Sequence, residues 1–236
     1  HRYNRRMVLK LLQNQYEEAR EDFQFCLQES VRLVHPASQG YAEMDYGKGL
    51  YRCAPVQALS HMETARDIFQ TLGTEHRRYL DCVCEIAYLQ CLLHGDNSEN
   101  LHTLEVAAVN LRNAHYEELY AKAKMKLAAL YMCSSMRDLK QAENELVEAE
   151  YVLSYRPCKR VEMLLSNVKY VHYVLSGQQE PANRELEIHK TLSKELGEDY
   201  RSVAQNNLQN CFPAEARFHF SDQMNTMVAL IDPRLW

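Results

Sequence analysis

Cysteine and histidine are the residue types here that most often act in catalysis or bind metals, and both are well represented. The 236 residues include 8 Cys and 10 His. Cys82 and Cys84 are two positions apart, so on a helix their thiols point to different faces and do not easily share a metal. We expect reduced, mostly buried thiols, as in a cytosolic protein, rather than disulfides or a zinc site. The cysteines are Cys26, Cys53, Cys82, Cys84, Cys91, Cys133, Cys158 and Cys211.

Short motifs for phosphate binding, hydrolysis and zinc binding are absent from the sequence. It contains no GxxxxGKS or GxxxxGKT, no GxGxxG, no GxSxG and no HExxH. Residues 47–49 (GKG) are embedded in a helical pattern, and His61 and Glu63 would face different ways on a helix. We therefore predict no catalytic residue, no metal and no cofactor.

Stretches rich in carboxylates also predict no active site. The segment Asp96–Asn100 superficially resembles a calcium loop, but Leu101 stands where glycine is needed and Ala107 where a carboxylate is needed. We expect a turn whose side chains cap the following helix. Neighbouring acids on a helix diverge, which favours solvated faces over acid–base couples. These acids are Glu17-Glu18, Glu117-Glu118 and Glu148/Glu150.

The histidines are scattered, and their positions favour structural roles. His35, His94 and His115 fall at predicted helix ends, where an imidazole can interact with the last carbonyls. His172 and Tyr173 continue a tyrosine-rich face, so we expect packing rather than ligation there.

Composition and charge restrict the class of function. With 46% hydrophobic and 25% charged residues, the chain has a foldable, ordinary composition. The net charge is −5, from 32 acidic and 27 basic residues that are intermixed, so a dedicated nucleic-acid surface is not expected. No apolar run approaches the ~20 residues that span a bilayer, and we see no secretory signal, so we expect a cytoplasmic protein without a membrane partner. The first residue is His1, from which we expect part of a longer chain.

One basic stretch opens the sequence and leaves two interpretations. It places Arg2, Arg5, Arg6 and Lys10 around Tyr3, a conceivable nucleic-acid contact. The exposed first helix of a helical array is usually polar for solubility, and we favour that interpretation.

The elements that position these residues are predicted by one recurring pattern. Tyr16, Ala19 and Phe23 fall on one helical face, where the alanine lets a neighbouring helix approach and the rings fill the groove around it. Ala58 and Ala65, with Met62 and Phe69, repeat that face. Only 7 Gly and 6 Pro indicate few turns and long helices.

The periodicity predicts helix pairs. Equivalent anchors are spaced by 39, 46, 38 and 40 residues, about 41 on average, within the ~34–47 of known helix-pair repeats. The anchors are Ala19, Ala58, Leu104, Ala142 and Ala182. Predicted helices cover residues 2–12, 16–33, 39–52, 55–72, 75–93, 101–113, 115–133, 138–155, 159–175, 181–196 and 200–210.

The remaining residues, 211–236, lose helical periodicity. Phe218 and Phe220 alternate with polar neighbours, and MVALI favours strand. We predict an extended or hairpin tail packed on the array, with a poorly ordered terminus as the alternative.

Three stretches carry a resemblance to a known family. NQYEEAREDFQFCL closely resembles the second helix of a tetratricopeptide repeat, with Asn14 where the family usually has glycine. ALSHMETARDIFQTLG looks like the same element, and HKTLSKELGEDYRSVAQNNL is similar to the longer repeats of kinesin-light-chain-like proteins. The resemblance covers residues 2–210 and implies an all-α, right-handed superhelical array of about five antiparallel helix pairs. Such arrays resemble sensor or docking parts of bacterial multidomain regulators.

The resemblance implies binding rather than catalysis. Superhelices of this kind place first helices on a concave surface that binds partners. Paired asparagines suit an extended peptide, since the amide both donates and accepts hydrogen bonds. Our candidate binding residues are Lys122, Lys126, Asn167, Tyr170, Asn206 and Asn207.

We therefore expect a non-enzymatic protein- or peptide-binding module of a larger cytoplasmic regulator. The alternative is a structural oligomerisation scaffold, with a homodimer as one form. An enzyme would require scattered groups to converge in a pocket.

Overall fold

A computed structural model describes residues 2–13, 15–51, 54–94, 98–133 and 138–196, and these residues form α-helices and no strand. The all-α prediction is thereby confirmed for this part of the chain. The helix predicted over 200–210 and the tail over 211–236 lie outside the described residues. The helices are α1 (Arg2–Leu12), α2 (Tyr16–Arg32), α3 (Pro36–Leu50), α4 (Pro55–Leu72), α5 (His76–His94), α6 (Ser98–Asn113), α7 (Glu117–Cys133), α8 (Leu139–Tyr155), α9 (Lys159–Leu175) and α10 (Gln179–Glu195).

Helices α3, α6 and α10 begin two or three residues earlier than predicted, and for α3 the reason is local. Helix α3 begins at Pro36 rather than residue 39, because proline suits the first helical position, where no N–H is needed. His35 is its N-cap, and its Nδ1 accepts a hydrogen bond from the Ser38 N–H at 3.2 Å. The imidazole of His35 thus caps the helix that follows it. Residues 98–100, expected in a turn, begin α6.

The chain divides into two compact units, residues 1–89 and 90–236, with the boundary inside α5. In unit 1, α1 packs on α2 and α3 on α4, and α3 also contacts α1 and α2. In unit 2, α7 packs on α8 and α9 on α10, while α6 contacts α7 and α7 also contacts α9. Helices thus pack on their neighbours in chain order, as predicted for helix pairs.

Small side chains sit where the helices of unit 1 approach each other. Ala19, Ala58 and Ala65 have no exposed surface, which confirms that the alanines of the recurring pattern face the interior. In α3, a Cβ at Gly47 would lie 3.1 Å from the Met62 sulfur and 3.2 Å from the Ala58 carbonyl oxygen. The α3–α4 pair therefore packs so closely at this position that a Cβ would crowd its neighbours.

Small side chains are also buried between the helices of unit 2. Ala121 and Ala128 of α7, Ala142 and Ala149 of α8 and Ala182 of α10 are fully buried. Helix α9 packs against them with larger side chains, among them Val161, Leu164, Val168 and Val171.

Two buried histidines of unit 2 bond to main-chain carbonyls. A ring nitrogen of His172, Nε2, lies 3.0 Å from the Leu139 oxygen. His189 places Nδ1 at 2.9 Å from the Met163 oxygen. These contacts join neighbouring helices, which agrees with a packing role for His172.

A shared turn geometry ends α2, α6 and α9. After α2, the Val34 N–H donates to the Val31 oxygen and the His35 N–H to the Ser30 oxygen, which is the Schellman pattern. The left-handed position of this turn is occupied by Val34 (φ 51°), by His115 (φ 56°) after α6, and by Gly177 (φ 70°) after α9. Glycine is the residue that adopts this conformation without strain, and a β-branched valine is the most strained choice.

Replacing Val34 by glycine should stabilise the protein. The side chain is 84% exposed, so little packing is lost, and relief of the left-handed strain outweighs the extra entropy of unfolded glycine. We expect urea unfolding to show a gain of about 0.5–1 kcal/mol. The matched control, Gly177→Val, should destabilise by about 1–2 kcal/mol. A less stable Val34→Gly variant would contradict the assignment of strain.

Candidate functional site

A groove of about 550 Å³ lies in unit 1, between α2 and α4 and above the end of α3. Its floor is formed by Phe23 of α2 and by Tyr46 and Leu50 of α3. The two walls are polar. They carry Glu17, Arg20 and Gln24 on α2, and Gln57 and His61 on α4.

The floor is a packed aromatic cluster. The rings of Phe23 and Tyr46 stack with centroids 4.3 Å apart and planes inclined by 6°. His61 stands edge-on to both rings, at 5.2 Å from Phe23 and 5.0 Å from Tyr46. Both stacked rings are 6% exposed, so mainly their edges face the groove. Rings locked against each other give the groove a pre-formed apolar base.

A buried carboxylate orients His61. Glu43 of α3 is 6% exposed, and its Oε2 lies 2.6 Å from His61 Nδ1. This contact fixes the imidazole ring against the floor. His61 thus pairs with Glu43 across helices and not with Glu63 on its own helix. Among the described residues, no group of three or more His, Cys, Asp or Glu is arranged to hold a metal ion.

Apart from His61, the polar side chains on the walls of the groove have no protein partner in the part of the chain that the structure describes. Glu17, Arg20, Gln24 and Gln57 are exposed, and no hydrogen bond or ion pair joins any of them to another group in the described ranges. The groove therefore offers donors, acceptors and charges of both signs to a ligand.

Several charges elsewhere in unit 1 are paired across helices. Arg6 and Lys10 of α1 both contact the buried Asp22 of α2, with Lys10 Nζ at 3.0 Å from Oδ2. The Arg6 guanidinium is the main cause that lowers the pKa of the Asp22 carboxyl below its ordinary value. The basic opening stretch is thus partly engaged in holding α1 on α2.

A second buried group of charges centres on Lys48 of α3. Its Nζ lies 3.0 Å from Asp81 Oδ2 and 3.3 Å from Glu85 Oε1 of α5. The Tyr51 hydroxyl donates to Glu85 Oε2 at 2.6 Å. Burial alone would lower the pKa of Lys48, but Asp81 and Glu85 together raise it well above its ordinary value. The GKG stretch therefore supplies a lysine that pairs with two carboxylates of α5.

Two lysines of unit 2 also form ion pairs with carboxylates of neighbouring helices. Lys124 of α7 contacts Glu145 Oε2 of α8 at 2.7 Å. On α9, Lys169 lies 2.7 Å from Glu150 and 3.3 Å from Glu185. Burial would lower the pKa of Lys169, but the two glutamates raise it. These pairs join successive helices.

Two of the sequence-predicted site residues lie on α7 with different exposure. Lys122 is partly buried and its Nζ lies 3.2 Å from Glu118 on the same helix. Lys126 is 2% exposed, so the chain itself covers it. The structure does not present the two as an exposed cationic pair.

The other predicted site residues lie on α9 or outside the described ranges. Tyr170 packs partly buried against the core of unit 2. Asn167 is also partly buried, and its Oδ1 is a buried acceptor without a hydrogen-bond partner in the structure. Asn206 and Asn207 lie outside the described residues. A binding role for these residues stays a prediction.

The groove was not predicted from the sequence, because binding residues were expected on first helices. The walls belong to α2 and α4, the second helices of their pairs. A signal was present: Glu17, Arg20 and Gln24 recur at helical spacing beside Phe23. Nothing in the sequence indicated that α4 would leave space opposite them.

No family model matches this sequence, and no curated protein matches it. In the part of the chain that the structure describes, no helix combines the length and apolarity needed to cross a membrane.

Burial of the Asp45 carboxyl makes the stability of unit 1 sensitive to pH. Asp45 Oδ2 accepts a hydrogen bond from Asn4 Nδ2 at 2.6 Å, while Asn4 Oδ1 is buried without a partner in the structure. Burial raises the pKa of Asp45 above its ordinary value, although Asn4 opposes the shift. The folded state then binds the proton more tightly than the unfolded state, so this carboxyl stabilises at low pH and that contribution is lost as pH rises through the raised pKa.

The variant Asp45→Asn should remove the loss of stability that the Asp45 carboxyl causes as the pH rises. Its amide keeps the acceptor for Asn4 Nδ2 and supplies a donor for Asn4 Oδ1 without a buried charge, so we expect a gain of about 1 kcal/mol at pH 7. Urea unfolding at several pH values from 4 to 8 measures it, with the exposed Asp67→Asn as control. Lower stability of Asp45→Asn at pH 7 would contradict the argument.

Proposed function

We propose that this protein is a non-enzymatic module that binds a protein or peptide segment. The observation that carries the proposal is the groove between α2 and α4, which combines a pre-formed apolar floor with unpaired polar walls. Peptide sites typically join a hydrophobic base to a small number of placed polar groups. The resemblance to tetratricopeptide repeats supports the same class of function.

The superhelical arrangement of the helices and the kind of protein to which the module belongs are also proposals. Contacts between successive first helices, α1 with α3 and α7 with α9, suit a right-handed superhelix of tetratricopeptide type. In such an array, Lys122, Asn167 and Tyr170 of unit 2 would belong to the concave side. We propose further that the module serves as the sensor or docking part of a larger cytoplasmic regulator, of the bacterial type that the resemblance implies.

Filling the groove tests the proposal. Gln57 is exposed on the wall formed by α4, so Gln57→Trp should occupy the groove without disturbing the core. Peptides selected from a random display library against the full chain should lose at least tenfold in affinity for this variant. The matched control is Gln70→Trp, at an exposed position of the same helix outside the groove. Equal binding by wild type and Gln57→Trp, or selected peptides that shift no groove resonances in NMR spectra, would refute the proposal.

An exposed stripe on α8 favours a second candidate, an oligomerisation scaffold. Val147, Tyr151 and Tyr155 recur every four residues and are 57%, 62% and 71% exposed. The two tyrosine rings contact each other edge-on with centroids 5.0 Å apart. Exposed apolar surface arranged along one helical face is typical of a surface that packs on another helix.

Self-association through this stripe predicts a concentration-dependent dimer. Sedimentation velocity should show a dimer that Tyr151→Glu converts to monomer, because a charge would be buried in the interface. Ile188→Glu places the same charge on an exposed position of α10 and should have no effect. A wild-type chain that stays monomeric up to about 100 μM would exclude this candidate.

A further inference from the structure

We infer that the groove in unit 1 binds an extended segment of about three residues, whose central side chain is apolar and whose neighbours are one base and one acid. This inference rests on the proposed function and specifies its ligand. The inference combines the length of the groove, the chemistry of its floor and the charges on its walls.

The walls limit the length of the ligand. On α2, the groove runs from Tyr16 to Gln24, eight positions, which correspond to about 12 Å of helix. An extended chain advances about 3.3 Å per residue, so about three residues fit along this wall. Gln57 and His61 are one turn apart on α4 and form the opposite wall.

The floor selects the central side chain. Successive side chains of an extended segment point to opposite sides, so one of the three enters the groove and its two neighbours point outward, toward the rim where Glu17 and Arg20 are exposed. The entering side chain meets Phe23, Tyr46 and Leu50, which are all buried. An apolar side chain such as leucine or methionine matches this floor, whereas a charged one would lose its hydration without a partner.

The walls select the two neighbours. Glu17 and Arg20 are three positions apart on α2, and neither forms an ion pair within the described ranges. Their helical positions differ by about 4.5 Å along the axis. The residues on either side of the central one are about 6.6 Å apart, within the reach of these two long side chains. One basic and one acidic neighbour would therefore pair with Glu17 and Arg20 at the same time.

The ligand backbone also finds partners. Gln24 and Gln57 face the groove from opposite walls and make no hydrogen bond in the described part of the chain. Each primary amide both donates and accepts, which matches the N–H and C=O groups of an extended peptide. These contacts favour a peptide over a ligand that lacks a backbone.

Charge reversal on the walls tests the inference. The probes are acetylated and amidated pentapeptides with Lys-Leu-Glu, Glu-Leu-Glu or Lys-Leu-Lys between glycines, titrated into the full chain by NMR. Wild type should prefer the mixed-charge peptide by about two- to fivefold over each of the others, the range expected of one exposed ion pair. Glu17→Lys should shift the preference to Glu-Leu-Glu, and Arg20→Glu should shift it to Lys-Leu-Lys. Raising the salt concentration should weaken all three preferences.

The control and the opposite outcomes separate this inference from the proposed function. Arg5→Glu reverses an exposed charge on α1 outside the groove and should leave the wild-type preference unchanged. If all three peptides bind wild type and both wall variants equally, while Gln57→Trp abolishes binding, the groove is a peptide site but the charge selection is wrong. If neither these nor the display-selected peptides shift groove resonances, both proposals fail.

Discussion

Close approach of helices at fully buried alanines is the constraint on which both units depend. Ala19 and Ala65 in unit 1 and Ala142 and Ala149 in unit 2 have no exposed surface, and a Cβ at Gly47 would crowd Met62 and Ala58. A larger side chain at such a position separates two helices and loses the dispersion contacts along their whole interface. The same approach brings charged groups of neighbouring helices within bonding distance. It also sets the width of the groove above α3.

Two groups of charges in unit 1 differ in their surroundings: buried charges that form ion pairs, and exposed charges at the groove that form none among the described residues. Inside, Lys48 bonds to two carboxylates of α5, and Asp22 bonds to two bases of α1, so burial is compensated by pairing. At the groove, Glu17 and Arg20 have no partner in the described structure although they are one turn apart. Paired charges hold helices in register, whereas unpaired ones beside an apolar floor are available to a ligand. Unpaired charges also occur away from the groove within the described ranges, as at Arg5, so the apolar floor beside Glu17 and Arg20 is what marks the groove.

Most of the secondary structure follows from sequence because its causes are local. Apolar periodicity predicted the ten described helices, most to within a few residues, and Gly73 ends α4 in the left-handed conformation, as expected. The start of α3 was misjudged because Pro36 was taken only as the end of the preceding helix, although proline also suits a first helical turn. The strained turn at Val34 was not foreseen, since valine is the residue least expected there.

The sequence by itself determined that the chain forms paired helices with alanines facing inward, because helical periodicity and side-chain volume are properties of short segments. Only the tertiary structure decided which polar residues pair and which remain available. His61 and Glu43 are 18 positions apart, as Lys48 and Asp81 are 33 apart, and no local spacing predicts such contacts. Lys126, read from sequence as a binding residue, is covered by the fold. The burial of a side chain depends on which helices pack against it, and that is a property of the whole arrangement.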